Sequence, residues 1–217
     1  MLLRPPGVYR ADGDTTLLID VLRAGGYAAG RRVLDLGTGT GALALAAARA
    51  GAASVTAVDL SLRSVAAAWF NAQVSRTPVT VRWGDLFGPV RGERFDLLLA
   101  NPPYVPAEAV APPRHRITRC WDAGPDGRLL LDRICAGAAD MLTDDGVALI
   151  VHSTVCDEDT TVAALQATGM KSQVVARTTI PFGPVMRARA GLLAARGLVQ
   201  PDQRDEEIVV VEARHRA

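Results

Sequence analysis

An α/β fold, a mainly parallel sheet covered by helices on both faces, is what this 217-residue chain predicts, on three observations. Apolar runs of strand length alternate with helical stretches, the pattern that builds parallel strands joined by crossover helices. One such run, Arg32-Val33-Leu34-Asp35-Leu36, enters the turn Gly37-Thr38-Gly39-Thr40-Gly41, which opens an Ala- and Leu-rich helix. Another, Phe95-Asp96-Leu97-Leu98-Leu99-Ala100, ends in the rigid turn Asn101-Pro102-Pro103-Tyr104, at the spacing two intervening βα units require.

Pro5, Pro6 and Gly7 keep residues 1–12 extended or irregular, and Asp14-Thr15-Thr16 then opens a helix to Leu22 with Asp14 as its N-cap. Gly25-Gly26 closes that helix, Arg32 to Leu36 is the first strand, and the helix after the glycine turn runs to Ala50. Val55 to Val58 is the second strand, ending at Asp59, after which Leu62, Val65, Ala66 and Trp69 recur at the spacing of one helix face. Pro78 ends that unit, Val79 to Trp83 is the third strand leading into Gly84-Asp85, and Phe95 to Ala100 is the fourth. The loop Val105 to Asp126 is long for a compact domain, which favours binding over mere connection. Leu130, Ile134, Ala138 and Met141 line one side of a helix, Asp144-Asp145-Gly146 turns into a strand Val147 to Val151, and a helix spans Asp157 to Ala167. Gln173 to Thr179 and Glu207 to Ala213 are the last two strands, with Pro181 to Asp205 between them carrying a helix from Val185 to Arg196. The length fits one domain over residues 1–217.

Hydrophobic residues at 49% against 22% charged describe a globular chain, and a net charge of +1 supplies no field to recruit nucleic acid. Lys171 is the only lysine among many arginines, so arginine abundance reads as coding bias. Cys120, Cys135 and Cys156 form no Cys-x-x-Cys pair and His115, His152 and His215 are scattered, so neither a metal site nor a disulfide framework is expected. The first residues lack a signal-like apolar stretch, and no uncharged apolar run approaches the ~20 residues of a membrane span. A reducing, cytoplasmic setting away from membranes is the expectation.

Gly37, Gly39 and Gly41 let the backbone approach a ligand that side chains would block. Asp59, 22 positions after Gly37, stands where a carboxylate accepts both hydroxyls of a ribose. The pairing suits an adenosine-containing cofactor. Gly37 to Ala42 also satisfies the dinucleotide pattern with alanine last, so NAD stays open on these residues, and a tight turn with no ligand is the plain alternative. The Asn101 turn carries other chemistry. A primary amide or aromatic amine is a poor nucleophile because its lone pair is delocalised, so a site that alkylates it holds the planar NH2 with acceptors and turns the lone pair to the electrophile. Asn101 offers a side-chain carbonyl and Pro102 a main-chain one, the two prolines stiffen the turn, and Tyr104 supplies a flat face. Without a ligand the same residues make a strand and a rigid turn.

Asp35-Leu36-Gly37-Thr38-Gly39-Thr40-Gly41, Asp59, Asp85 and Asn101-Pro102-Pro103-Tyr104 together resemble the Rossmann-like class I S-adenosylmethionine-dependent methyltransferases, and within them the HemK-like glutamine methyltransferases of release factors. Val8 to Leu18 is similar to the entry segment of the short archaeal and eukaryotic forms, and Trp121 to Arg128 to their loop after the motif. The resemblance implies a seven-stranded sheet with its last strand antiparallel, S-adenosyl-L-methionine as cofactor, and residues 1–30 as a segment covering it. It implies that Gly37 and Gly39 flank the methionine moiety, Asp59 holds the ribose, Asp85 with Leu86 meets the adenine, Thr15 closes over the cofactor, and Asp35 and Asn101 also belong to the cofactor site. Asp35 is placed to order the glycine turn through backbone N–H groups. Asn101, Pro102 and Tyr104 would receive the target NH2, best matched by a protein glutamine in a release factor. No general base is required, because the sulfonium is already activated and the alkylated nitrogen readily loses its proton.

The same turn accepts the exocyclic amine of adenine, so a DNA or RNA methyltransferase is one alternative, though the near-neutral charge disfavours nucleic acid. A small-molecule amide or guanidine methyltransferase and a silent cofactor-binding subunit are the others. The N-terminal helical bundle of bacterial members has no counterpart in the residues before Arg32, and the short relatives use a small zinc-binding activator that covers a sheet edge. Residues 181–205 are longer than the family's usual connection and are placed at the substrate mouth as a lid or partner-docking element. Arg187, Arg189 and Arg196 there read as a solvated helix face or an anion contact. His115 with Arg114, Arg116 and Arg119 reads the same way, Trp121 as core or substrate platform, His152 as a satisfied histidine, and the cysteines as packing.

Overall fold

The computed structural model describes residues 2–6, 8, 12–107 and 123–216. Among them, strands and helices alternate as α1 (Gly13–Ala24), β1 (Arg32–Leu36), α2 (Ala42–Arg49), β2 (Ser54–Asp59), α3 (Leu62–Val74), β3 (Thr80–Trp83) and β4 (Phe95–Ala100). The chain continues through α4 (Leu129–Met141), β5 (Leu142–Ser153), α5 (Glu158–Ala167), β6 (Met170–Pro181), α6 (Pro184–Ala195) and β7 (Asp205–His215). The seven strands form one sheet in the order β3-β2-β1-β4-β5-β7-β6. β1 to β5 pair in parallel, and β7 runs antiparallel between β5 and β6.

This order places the site. The chain steps outward from β1 to β3 and returns to the other side of β1 as β4, so the sheet reverses between β1 and β4. A crevice opens there at the strands' carboxyl ends. β1 and β4 are sealed on both faces, with Val33, Leu34, Leu36, Leu97, Leu98, Leu99 and Ala100 all at 0% exposure. Their near-continuous apolar sequences are what burial on two faces demands.

Four elements differ from the sequence expectation. α1 begins two residues earlier, with Asp12 rather than Asp14 at the N-cap position, and Asp14 is buried in the first turn. α3 packs on Ser64, Ala67, Ala68, Asn71 and Ala72, while Leu62, Trp69, Phe70 and Val74 face outward. The reason is proximity: a side chain on Gly41 would stand 3.2 Å from Ala68, so the helix must present small residues to the glycine turn. β5 also runs longer than expected, taking in Asp144-Asp145-Gly146 beside a register shift opposite Phe95 and Leu97. β6 lengthens because it pairs with β7 from Met170 to Pro181. No described helix is long and apolar enough to cross a membrane.

Candidate active site

The turn after β1 needs its glycines. Gly37, Gly39 and Gly41 have φ of 71°, 56° and 83°, in the left-handed region that L side chains avoid. Asp35 organises the turn from below. It is fully buried, and its Oδ2 accepts the Thr38 hydroxyl at 2.6 Å and the Ala44 N–H at 3.0 Å. Its Oδ1 is buried with no hydrogen-bond partner among the described residues. Burial pushes the Asp35 carboxyl up to about 7, against the pull of those two bonds and with the Asp59 charge adding to the rise. Asp59 closes β2, its Oδ2 accepting the Gly39 N–H at 2.9 Å and its Oδ1 the Ser61 N–H at 2.8 Å.

Asn71, which sequence reasoning passed over, ties the N-terminal segment to this turn. Its side chain bonds Leu3 through both N–H and carbonyl, at 2.7 and 2.9 Å, and donates to the Thr40 carbonyl at 2.9 Å. A polar residue in a run of alanines is the one signal that pointed there. At the end of β3, Asp85 is half-exposed and accepts both guanidinium nitrogens of Arg133 on α4, at 2.6 and 3.3 Å. Leu86 has φ 43°, a conformation that costs a branched residue free energy and is retained where a site needs it.

Pairing of Leu36 with Ala100 brings the two turns together. A Cβ on Gly37 would lie 4.0 Å from the Asn101 carbonyl oxygen. Asn101 donates from Nδ2 to the Thr15 hydroxyl at 3.0 Å, so Thr15 contacts this turn. Among the described residues its Oδ1 has no partner. Thr15 in turn donates to Asp14, and the Tyr104 hydroxyl donates to the other Asp14 oxygen at 2.9 Å. Tyr104 is 8% exposed and Pro102 is buried, so the tyrosine ring forms wall and anchor where an open flat face was expected.

Because β7 is antiparallel, its first residues return to this same edge. Glu206 is 4% exposed, and its Oε2 has no partner among the described residues. Burial lifts its carboxyl to about 7, opposed by a hydrogen bond from Ser153 and reinforced by the charge of Asp14. A glutamate next to a strand start reads as solvated in sequence, and only the strand order reveals it.

The far side of the turn is clamped. Cys156 donates its thiol to the Tyr104 carbonyl at 3.0 Å, and burial pushes that thiol up to about 12, which leaves it inert. A Cβ on Gly127, which has φ 79°, would collide with that carbonyl and with the Cys156 sulfur. α6 grips the loop stem: Arg189 donates to the Pro106 carbonyl at 3.0 Å, and Arg196 to those of Ala107 and Pro125 at 3.1 and 3.2 Å. Arg189 is half-buried, while Arg196, like Arg187, stays exposed, so the solvated expectation holds for Arg187 and Arg196. His152 is buried and donates from Nδ1 to the Ser153 carbonyl at 2.9 Å. Burial holds it down to about 4, hence neutral. Arg114, His115, Arg116, Arg119, Cys120 and Trp121 lie outside the described residues, among which no cluster of ligands could hold a metal ion.

Residues 2–117 match the model of the family described as Methyltransferase small domain. A Methanocaldococcus jannaschii protein named as an N5-glutamine methyltransferase is 33% identical over 181 residues, covering 83% of this chain and 90% of that protein. The release factor glutamine methyltransferase of Geobacter sulfurreducens is 32% identical over 193 residues, 86% of this chain and 67% of that one. The ribosomal protein uL3 glutamine methyltransferase of Bradyrhizobium diazoefficiens is 41% identical over 145 residues, 64% of this chain and only 44% of that protein. Among solved structures, the E. cuniculi Mtq2–Trm112 complex covers 97% of this chain and 99% of its counterpart at a TM-score of 0.68 and 21% identity. The T. Thermophilus 16S rRNA N2 G1207 methyltransferase, bound to AdoMet and guanosine, covers 98% of this chain and 46% of its own at 0.67 and 24%. At such identities these structures establish the Rossmann-like methyltransferase fold. With both turns inside the matched residues, and relatives above 30% identity aligned over two thirds or more of their own length, the chain belongs to the Methyltransferase small domain family.

Proposed function

We propose that this protein transfers a methyl group from S-adenosylmethionine to the side-chain nitrogen of a protein glutamine, as in a release factor. The observation that carries the reading is the meeting of the Gly37 turn with the Asn101 turn, whose outward acceptor Oδ1 has no partner among the described residues. Relatives named as glutamine methyltransferases of release factors and of a ribosomal protein support the choice of acceptor.

The residues fit such a cofactor. Asp35 Oδ1 is a buried acceptor awaiting a donor, suited to the ammonium of the methionine part. Asp59 offers its carboxylate to the ribose hydroxyls, and Asp85 and Leu86 stand at the adenine end. When bound, S-adenosylmethionine supplies an activated methyl group. The protein supplies position. Asn101 Oδ1 and the Pro102 carbonyl each take one N–H of the acceptor, which fixes the amide plane and leaves its lone pair facing the Gly37 side. The nitrogen gains a methyl and loses one proton, and no buried histidine is needed. His152 lies in the sheet and makes its contact with main chain.

A partner subunit completes the proposal. β3 is an edge strand, and Leu60, Leu62, Trp69, Phe70, Val74 and Trp83 around it are 38–68% exposed. So large an apolar surface beside an open edge is a liability unless covered. The E. cuniculi neighbour was solved in complex with Trm112, and the small zinc-binding activator that the family resemblance implies is the occupant we assign. Co-expression with such a subunit is expected to raise soluble yield and activity, and Phe70→Asp with Trp83→Asp is expected to abolish co-purification. Full activity and solubility alone, unchanged by the subunit, contradict the assignment.

The function is tested by following labelled methyl from the cofactor into a glutamine-bearing release-factor protein, oligonucleotides and cell-extract metabolites. Label in the protein, lost when the glutamine becomes glutamate, is the expected result. Label only in nucleic acid overturns it in favour of adenine.

A further inference from the structure

One acid holds both ends of the catalytic turn. Asp14 is 1% exposed; its Oδ1 accepts the Thr15 main-chain N–H at 2.5 Å and the Thr15 hydroxyl at 3.2 Å, and its Oδ2 accepts the Tyr104 hydroxyl at 2.9 Å. A carboxylate only accepts. With its proton committed to Asp14, the Thr15 hydroxyl retains lone pairs alone for a third partner, and only the NH2 end of the Asn101 amide can meet them. It does so at 3.0 Å. The two ends of an amide are nearly the same size, so packing cannot choose between them; hydrogen bonding must.

We propose that Asp14, acting through Thr15, is a positioning residue that turns the Asn101 side chain with its carbonyl toward the acceptor, and so makes the site select glutamine over isosteric glutamate. The inference rests on the proposed amide acceptor. Glutamine presents an NH2 to two carbonyls and pairs with both. Glutamate presents oxygen to the same carbonyls, leaving acceptors facing acceptors. A site built around one polarity rejects the other far better than it rejects a change of size. If the Asn101 amide were free to turn over, its NH2 would greet the carboxylate and the discrimination would vanish.

The test uses two peptides differing only in Gln or Glu at the acceptor position. For the wild type, the Glu peptide is expected to inhibit at least about tenfold more weakly than the Gln peptide binds. Thr15→Val keeps the shape and removes the hydroxyl: kcat is expected to fall about tenfold or more and the Gln-to-Glu ratio to approach one, with cofactor Kd changed less than about twofold. Thr15→Ser restores the ratio. Asp14→Asn, whose own carbonyl still accepts from Thr15, keeps most of it, whereas Asp14→Ala does not. An unchanged ratio in folded Thr15→Val overturns the inference, as does a loss confined to cofactor affinity, which would place Thr15 over the cofactor instead. Failure of the wild type to methylate any Gln peptide counts against the acceptor and leaves the orientation to be read by NMR. There the Asn101 NH2 resonances are expected to shift in Thr15→Val, and identical resonances in both proteins overturn the inference.

Discussion

Asn101→Ala is expected to lower kcat by about two to three orders of magnitude while the Kd for S-adenosylmethionine stays within about twofold. The substitution removes the acceptor that orients the target nitrogen, and nothing else in the described turn replaces it, since Pro102 offers only its main-chain carbonyl. The residues proposed to hold the cofactor, Asp35, Asp59 and the glycines between them, are bonded among themselves and not to Asn101. Asp59→Ala is therefore the complementary case, with binding lost before turnover. Single-turnover methyl transfer and calorimetric titration on the same samples separate the two. Full turnover by Asn101→Ala would remove the acceptor role.

Glu206→Gln is expected to stabilise the protein above neutral pH. Glu206 holds its proton up to about 7 in the fold against 4.5 ordinarily, so the folded chain binds that proton more tightly than the unfolded one. Its contribution is fully present below pH 4.5 and is lost as pH rises through 7, by about 3 kcal/mol in all. Asp35 acts in the same sense, and His152 in the opposite one, its contribution being lost as pH falls from 6.5 through about 4. Comparing variant with wild type cancels both. Thermal melts should show the variant higher by roughly 5–10 °C at pH 8.5 and no higher at pH 4.5. A pH-independent difference would mean that Glu206 does not titrate between these limits.

Most of the sheet was legible because β1, β2 and β4 are mainly apolar runs between glycine or proline turns, and the two candidate site turns follow directly from strand ends. What the sequence concealed is instructive in each case. Leu62 and Trp69 look like the buried face of α3, but burial there is limited by how closely the helix approaches Gly41, so the alanines go inward. Asp14 looks like an N-cap because capping and sharing between distant donors require the same short carboxylate; only the arrival of Tyr104 distinguishes them. Glu206, Arg189 and Arg196 are charged residues in polar surroundings, which in one dimension resemble solvated surface. Their roles come from β7 running backwards and from α6 folding over the loop stem. The sequence held the chemistry of the turns and left its supports to topology.

The grip of α6 on residues 106, 107 and 125 bears on how an acceptor gets in. These guanidinium–carbonyl bonds join the connection between the last two strands to both ends of the loop stem. Parting those two ends therefore breaks bonds to α6 as well. A polypeptide acceptor at the Asn101 turn would then meet flanks that shift only together with α6.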